Sequence, residues 1–235
     1  MSFLKAEWRK LAIANYAIDP AILKKYLPAK TELDLWNDKC YVSLVGFRFT
    51  NVRVLGIPVP FHRNFEEVNL RFYVRHFDKG EWKRGVVFIK ELVPRSAITF
   101  IANTIYKEHY QTVKMSHVWN LVTSPMEIKY NWFSKKTENK FEVLAENKSS
   151  ELISGSETEF ITEHYWGYTK INDSKTAEYE VRHPRWKAYQ VLSHKIDVRF
   201  DLVYGNDFGF LNNQDPVSVM LAEGSEISVQ GKRKI

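Results

Sequence analysis

Four side chains able to bind or exchange protons fall at successive alternate positions of one segment: Glu67, Asn69, Arg71 and Tyr73. A carboxyl can give or take a proton. A guanidinium can hold a carboxylate or phosphate with two parallel hydrogen bonds, and an amide and a phenol can orient what it holds. Val68, Leu70, Phe72 and Val74 occupy the positions between them. This period of two predicts a strand over residues 65–77 with one polar and one apolar face. Glu67 and Arg71 are then roughly 13 Å apart and cannot pair with each other. Each needs a partner on a neighbouring strand, in water or in a ligand. Alternation alone leaves two readings open: a polar face turned to solvent, as in many antiparallel sheets, or one lining an internal cavity.

Lys90 falls on the predicted face of Val86, Phe88 and Leu92. A lysine held among apolar groups has a lowered pKa and can supply a neutral amine for Schiff-base chemistry; the plainer reading is a strand-end lysine whose stem lies along apolar surface. His183, in Val181-Arg182-His183-Pro184-Arg185-Trp186, could serve acid–base work near neutrality or be an ordinary surface residue. The seven histidines have no metal-binding spacing, so no metal or other cofactor is expected. No nucleophile-elbow, phosphate-loop or dinucleotide fingerprint is present.

The elements that must position these groups are mostly short strands. Strands are expected at residues 8–16, 31–36, 40–50, 84–92, 113–121, 126–132 and 141–146, with a pair at 165–171 and 177–181 and short strands at 217–221 and 226–230. Asp19-Pro20 opens a short helix, a helical pattern runs from Ala97 to about His109, and Ser156-Glu157-Thr158-Glu159 has capping-box spacing. The segment 191–204 is helix or strand. About ten strands with few helices and no internal repeat define a single domain, residues 1–235, whose sheet must curl or close. The expected class is α+β: a mainly antiparallel, barrel-like curved sheet with a few short helices.

With 44% hydrophobic and 14% aromatic residues, the 235-residue chain can fill a large core. Its net charge of +6 fits an anionic partner, but basic and acidic residues are interleaved except in the tail Gly231-Lys232-Arg233-Lys234, expected to be solvated, so no nucleic-acid partner is expected. Neither a secretory signal nor an uninterrupted apolar span occurs, which predicts no membrane partner and a cytoplasmic location. Cys40 stands alone, excluding an internal disulfide.

Several segments, in order, resemble the bacterial YqjF-like family, the domain of unknown function 2071, within the acetoacetate decarboxylase-like superfamily. They are Asp19-Pro20, Leu27-Pro28, Leu33-Asp34, residues 65–74, Gly85-Val86-Val87-Phe88, Glu163-His164-Tyr165 and His183-Pro184-Arg185-Trp186. The resemblance implies a barrel-like sheet around a cavity and turns the balance toward a cavity-lining polar face. It also implies that Glu67, after an aromatic residue and a glutamate, corresponds to a site glutamate of the decarboxylase. That enzyme's Pro-Lys-Lys element is missing: the comparable stretch runs from Asn103 to Tyr110, and its Lys107 sits beside Glu108, which favours the charged amine. Decarboxylation through a Schiff base is therefore not expected. The expected function is binding or transformation of a small anionic metabolite. Arg71 is the anion contact, Glu67 and His183 are acid–base candidates, and Asn69, Tyr73, Lys90, Tyr165 and Trp186 are ligand contacts. The alternatives are a non-catalytic ligand-binding or scaffold protein, with or without homo-oligomerisation.

Overall fold

The computed structural model describes residues 2–106 and 108–235, the side chains of 105 and 106 aside. In chain order the strands are β1 (Ser2–Ala17), β2 (Glu32–Leu33), β3 (Tyr41–Val54), β4 (Ile57–Pro58), β5 (Phe65–Asp78), β6 (Glu81–Val93), β7 (Tyr110–Thr112) and β8 (Lys114–Asn120). They continue as β9 (Met126–Ser134), β10 (Thr137–Glu151), β11 (Trp166–Asn172), β12 (Lys175–Arg182), β13 (Lys187–Asp197), β14 (Ser218–Gln230) and β15 (Arg233–Lys234). Among the described residues four short α-helices intervene: α1 (Pro20–Leu23), α2 (Ser96–Ile101), α3 (Glu157–Thr162) and α4 (Phe200–Tyr204). The side chains of Asp19 and Ser156 cap α1 and α3, accepting from Ala21 N and Glu159 N.

Neighbour follows neighbour in the order β12, β11, β6, β5, β3, β1 and β14, and β12 also pairs with β14, so the sheet curves into a ring. The pairings are antiparallel except β6 with β11 and with β7. From β14 an arm of β13, β10, β9 and β8 extends and folds over the outside of the ring. There Ile128, Tyr130, Trp132, Phe141 and Val143 meet Val68, Leu70, Phe72 and Val74, all fully buried. A second cluster fills the inside with Phe47, Phe49, Phe65, Val86 and Tyr179, and α3 contributes Phe160 and Ile161.

Bulges decide which side chains face inward, because one extra residue reverses every later position. In β1 the register slips between Arg9 and Ala12, where Lys10 has a positive φ of 53°: Ala6 belongs to the inner cluster, but beyond the slip Leu11 and Ile13 take that role. Between β5 and β6, Leu70 opposes Lys90 while Arg71 opposes Phe88, leaving Ile89 as the extra residue.

Segment 191–204 is both strand and helix. Residues up to Asp197 continue β13, and the burial of Phe200, Val203 and Tyr204 at spacings of three and four marks α4. The helix after Pro94 is shorter than its pattern predicts: α2 widens into a π-type turn, Ala102–Tyr106, and Glu108 and His109 are not helical. The basic tail is not free. Arg233 in β15 pairs with Glu178 at 2.6 Å and Asp78 at 2.7 Å.

The two expected strands near the C-terminus are one, β14, bent at Gly224 with φ +79° against the Trp8 carbonyl. A Cβ there would overlap that carbonyl and strain the backbone. Gly224→Ala is expected to cost about 2 kcal/mol, a fall of roughly 4–8 °C in melting temperature. An unchanged melting temperature would contradict this close approach.

Candidate functional site

Inside the ring lies a cavity of about 150 Å³. Its walls are mainly apolar, with Trp8, Phe47, Phe49, Phe65, Phe88 and Trp166 among them, and polar groups from several elements meet in it. From β5 come Glu67, Asn69 and Arg71; from β6, Glu91; from the segments after α2 and α3, Glu108, Tyr110 and His164. β12 adds Tyr179. The polar face of β5 therefore looks inward.

The β6 bulge determines what Lys90 and Glu91 do. Unbroken alternation would put Lys90 beside Val86 and Phe88, both of which line the cavity. With Ile89 inserted, Lys90 points outward and donates to the Val203 carbonyl at the end of α4, while Glu91 enters the cavity.

Glu67 and Glu91 are each 2% exposed, and Glu108 is also buried. Asn69 Nδ2 donates to Glu67 Oε1 at 2.9 Å and the Tyr110 hydroxyl to Glu67 Oε2 at 3.1 Å; Thr169 Oγ1 donates to Glu108 at 2.6 Å. Burial raises all three carboxyl pKa values, against the hydrogen bonds they accept. Glu67 and Glu108 are pushed up to about 7, and Glu91 well above the usual carboxylate range, with added like-charge repulsion from Glu108 and Glu67. Near neutrality the cluster therefore retains protons. Glu91 Oε2 and Asn69 Oδ1 have no hydrogen-bond partner.

Arg71 is 8% exposed. Its Nη2 donates weakly to the Ile161 carbonyl at 3.5 Å, its guanidinium lies 5.7 Å from the Tyr73 ring, and its Nε has no partner. Among the described residues, no carboxylate forms an ion pair with it.

The Tyr73 side chain is buried on the same face, but its hydroxyl joins Ser43 Oγ at 2.8 Å and does not reach the cavity lining. Its ring supports His164 at 4.8 Å. Tyr165, His183 and Trp186 are brought together as a stack, with centroids 4.6 and 4.2 Å apart. The stack sits behind Trp8 and does not line the cavity. His183 Nδ1 contacts the Pro184 carbonyl at 2.9 Å, and burial lowers its pKa to about 4, with the nearby charge of Arg71 acting in the same direction. Lys107 lies outside the described residues. No group of three His, Cys, Asp or Glu among them could hold a metal ion, and none of their helices is long and apolar enough to cross a membrane.

Sequence reasoning assigned no site role to Glu91, Glu108, Tyr110, His164 or Tyr179. The bulge hides Glu91 from the alternation of β6, and in the sequence Glu108 stands out only as the neighbour of Lys107. His164 lay in a segment that carried the family resemblance.

A curved, mainly antiparallel sheet closing around a largely apolar cavity in which a few polar groups meet is the acetoacetate decarboxylase-like fold. The acetoacetate decarboxylase of Legionella pneumophila superposes with a TM-score of 0.69 at 13% identity, over 99% of this chain and 86% of that one. The enduracididine biosynthesis enzyme MppR, in its complex with pyruvate, gives 0.72 at 12% identity over 100% and 91%. An acetoacetate decarboxylase-like enzyme from Sphingomonas wittichii RW1 gives 0.68 at 11% over 100% and 93%. At these identities the likeness is one of fold. The family described as an uncharacterised conserved protein, the domain of unknown function 2071, matches residues 5–226, and the chain belongs to it. The uncharacterised protein YqjF of Bacillus subtilis is 36% identical over 86 residues, so the matched stretch covers 36% of this chain and 34% of that relative.

Proposed function

We propose that the protein binds a small organic anion in the ring cavity and acts on it by proton transfer. Arg71 holds the anion, and Glu67, with Glu91 and Glu108 behind it, is the proton donor and acceptor. The observation that carries this reading is the buried Arg71 guanidinium with no carboxylate partner and an orphaned Nε. A buried, unpaired cation costs several kcal/mol. The carboxyls sharing its cavity retain protons and compensate it poorly, so a bound anion is its natural counter-charge. Two fold neighbours support the choice of small carboxylates: one was captured with pyruvate, and another is named for acetoacetate.

The test is thermal unfolding with acetate, pyruvate and acetoacetate against equal concentrations of chloride. At least one carboxylate should raise the parent's melting temperature. In Arg71→Ala its affinity should fall roughly 10- to 150-fold, since a charge-assisted contact is worth about 1.5–3 kcal/mol. The variant itself should unfold at or above the parent's temperature, because no ion pair is broken and the cost of burying the unpaired guanidinium is removed. A large loss of stability in Arg71→Ala, with no carboxylate shifting the parent, would overturn the reading.

The outward turn of Lys90 bears on reaction type. Borohydride trapping with pyruvate or acetoacetate should leave Lys90 unmodified by mass spectrometry; an adduct there would restore Schiff-base chemistry.

A further inference from the structure

Asp34, in the loop after β2, and His164, after α3, form a buried pair that meets the cavity from the side of Arg71. His164 Nε2 lies 3.0 Å from Asp34 Oδ2, and the same oxygen accepts from Arg84 Nε at 2.7 Å. The imidazole lines the cavity, is 8% exposed, and is held between the rings of Tyr73 at 4.8 Å and Phe160 at 5.0 Å. Its Nδ1 is buried and has no hydrogen-bond partner.

The protonation of the ring follows from its neighbours. Burial pushes the Asp34 carboxyl up, but the bonds from His164 and Arg84 outweigh it and hold it below the usual range, so it is ionised and can only accept. The proton must then sit on His164 Nε2. Burial, with the charges of Arg84 and Arg71, lowers the histidine pKa to about 4 in spite of Asp34. The ring is neutral, and Nδ1 presents a lone pair. Asn69 Oδ1 is a second orphaned acceptor in the same cavity.

We infer that His164 Nδ1 accepts a hydrogen bond from a hydroxyl on the ligand whose carboxylate Arg71 holds, so that the ligand class is a small hydroxy acid. This rests on the anion reading above and adds to it a second point of recognition. A plain carboxylate would satisfy Arg71 but leave Nδ1 buried and unpaired, which is how polar sites reject analogues that lack a donor. His164 is thereby a specificity residue, and Asp34 positions it by fixing which nitrogen carries the proton.

The experiment measures affinities by calorimetry for matched pairs: lactate against propionate, and 3-hydroxybutyrate against butyrate. In the parent protein one hydroxy acid should bind roughly tenfold or more tighter than its partner. His164→Phe keeps an aromatic ring between Tyr73 and Phe160 but removes the acceptor, and should bring that ratio near one while plain-acid affinity persists. If the variant does not fold, a measurement on the parent decides: the Nδ1 resonance of His164 in ¹⁵N-histidine-labelled protein should shift with the hydroxy acid and not with its matched partner. If both members of each pair bind equally and the resonance stays still, the histidine inference fails while anion binding stands. If no carboxylate binds at all, the anion reading fails and takes this one with it.

Discussion

Between pH 5 and pH 8 Glu67→Gln should gain stability relative to the parent protein by on the order of 3 kcal/mol. The folded protein holds the Glu67 proton to about pH 7, because burial disfavours the carboxylate more than Asn69, Tyr110 and Arg71 favour it, and Glu108 adds like charge. In the unfolded chain the same carboxyl titrates near its ordinary value of 4.5. A group whose folded pKa is raised contributes stability in full below its unfolded pKa, and that contribution is lost as the pH rises through the folded pKa. A gap of this size corresponds to about 1.4 kcal/mol per pH unit over the window. Glutamine copies the neutral acid, with an oxygen still able to accept from Asn69, so the variant lacks the loss. His164 and His183 act in the opposite direction. Their folded values near 4 make their contribution complete above 6.5 and lost as the pH falls through 4. They are present in both proteins, and the difference between the two unfolding free energies removes them. Denaturant unfolding at half-unit pH steps is the measurement. Parallel profiles for parent and variant would mean that Glu67 ionises normally and is not a proton reservoir.

The strand that carries this group was the most legible part of the sequence. β5 alternates without interruption from Glu67 to Val74, so the partition into an apolar face, which packs under the arm, and a polar face, which looks into the ring, can be read from period alone. What period could not supply was which side was enclosed. That depends on β12 meeting β14, a contact between residues far apart in sequence. β6 was legible as a strand but not in its orientation: one bulged residue sent Lys90 out and brought Glu91 in. Bulges leave no fixed signature in composition. The stack of Tyr165, His183 and Trp186 carries the opposite lesson, since the residues do assemble but behind the cavity wall. Glu108 is hidden by a helical pattern that continues further than the helix does.

Asp34→Ala should cost the fold about 3 kcal/mol, the largest stability loss expected from a single change at the site. The carboxylate sits at a crossing of three elements: its backbone N–H donates to the Tyr73 carbonyl on β5 at 3.0 Å, and its side chain joins β6 through Arg84 and the segment after α3 through His164. Removing it leaves a buried imidazole N–H without an acceptor and a guanidinium without its counter-charge. Breaking a buried pair from one side costs about 3–5 kcal/mol, and the low end applies because the Arg84 side chain is 35% exposed and keeps access to water. Asp34→Asn retains one acceptor oxygen and should lose less than half as much. The pH dependence has a definite sign: the folded Asp34 pKa lies below its ordinary 3.8, so its stabilisation is complete above that value and is lost as the pH falls through the lowered one. The alanine variant should therefore be closest to the parent in strong acid and furthest from it near neutrality. Urea unfolding at pH 3 and pH 7 reads this, and a constant gap would mean that the charge of Asp34 does not contribute. The same substitution frees His164 to place its proton on Nδ1. Under conditions where the variant is folded, the preference for a hydroxy acid over its matched plain acid should then collapse while carboxylate binding through Arg71 survives, which separates orientation of the ring from possession of it.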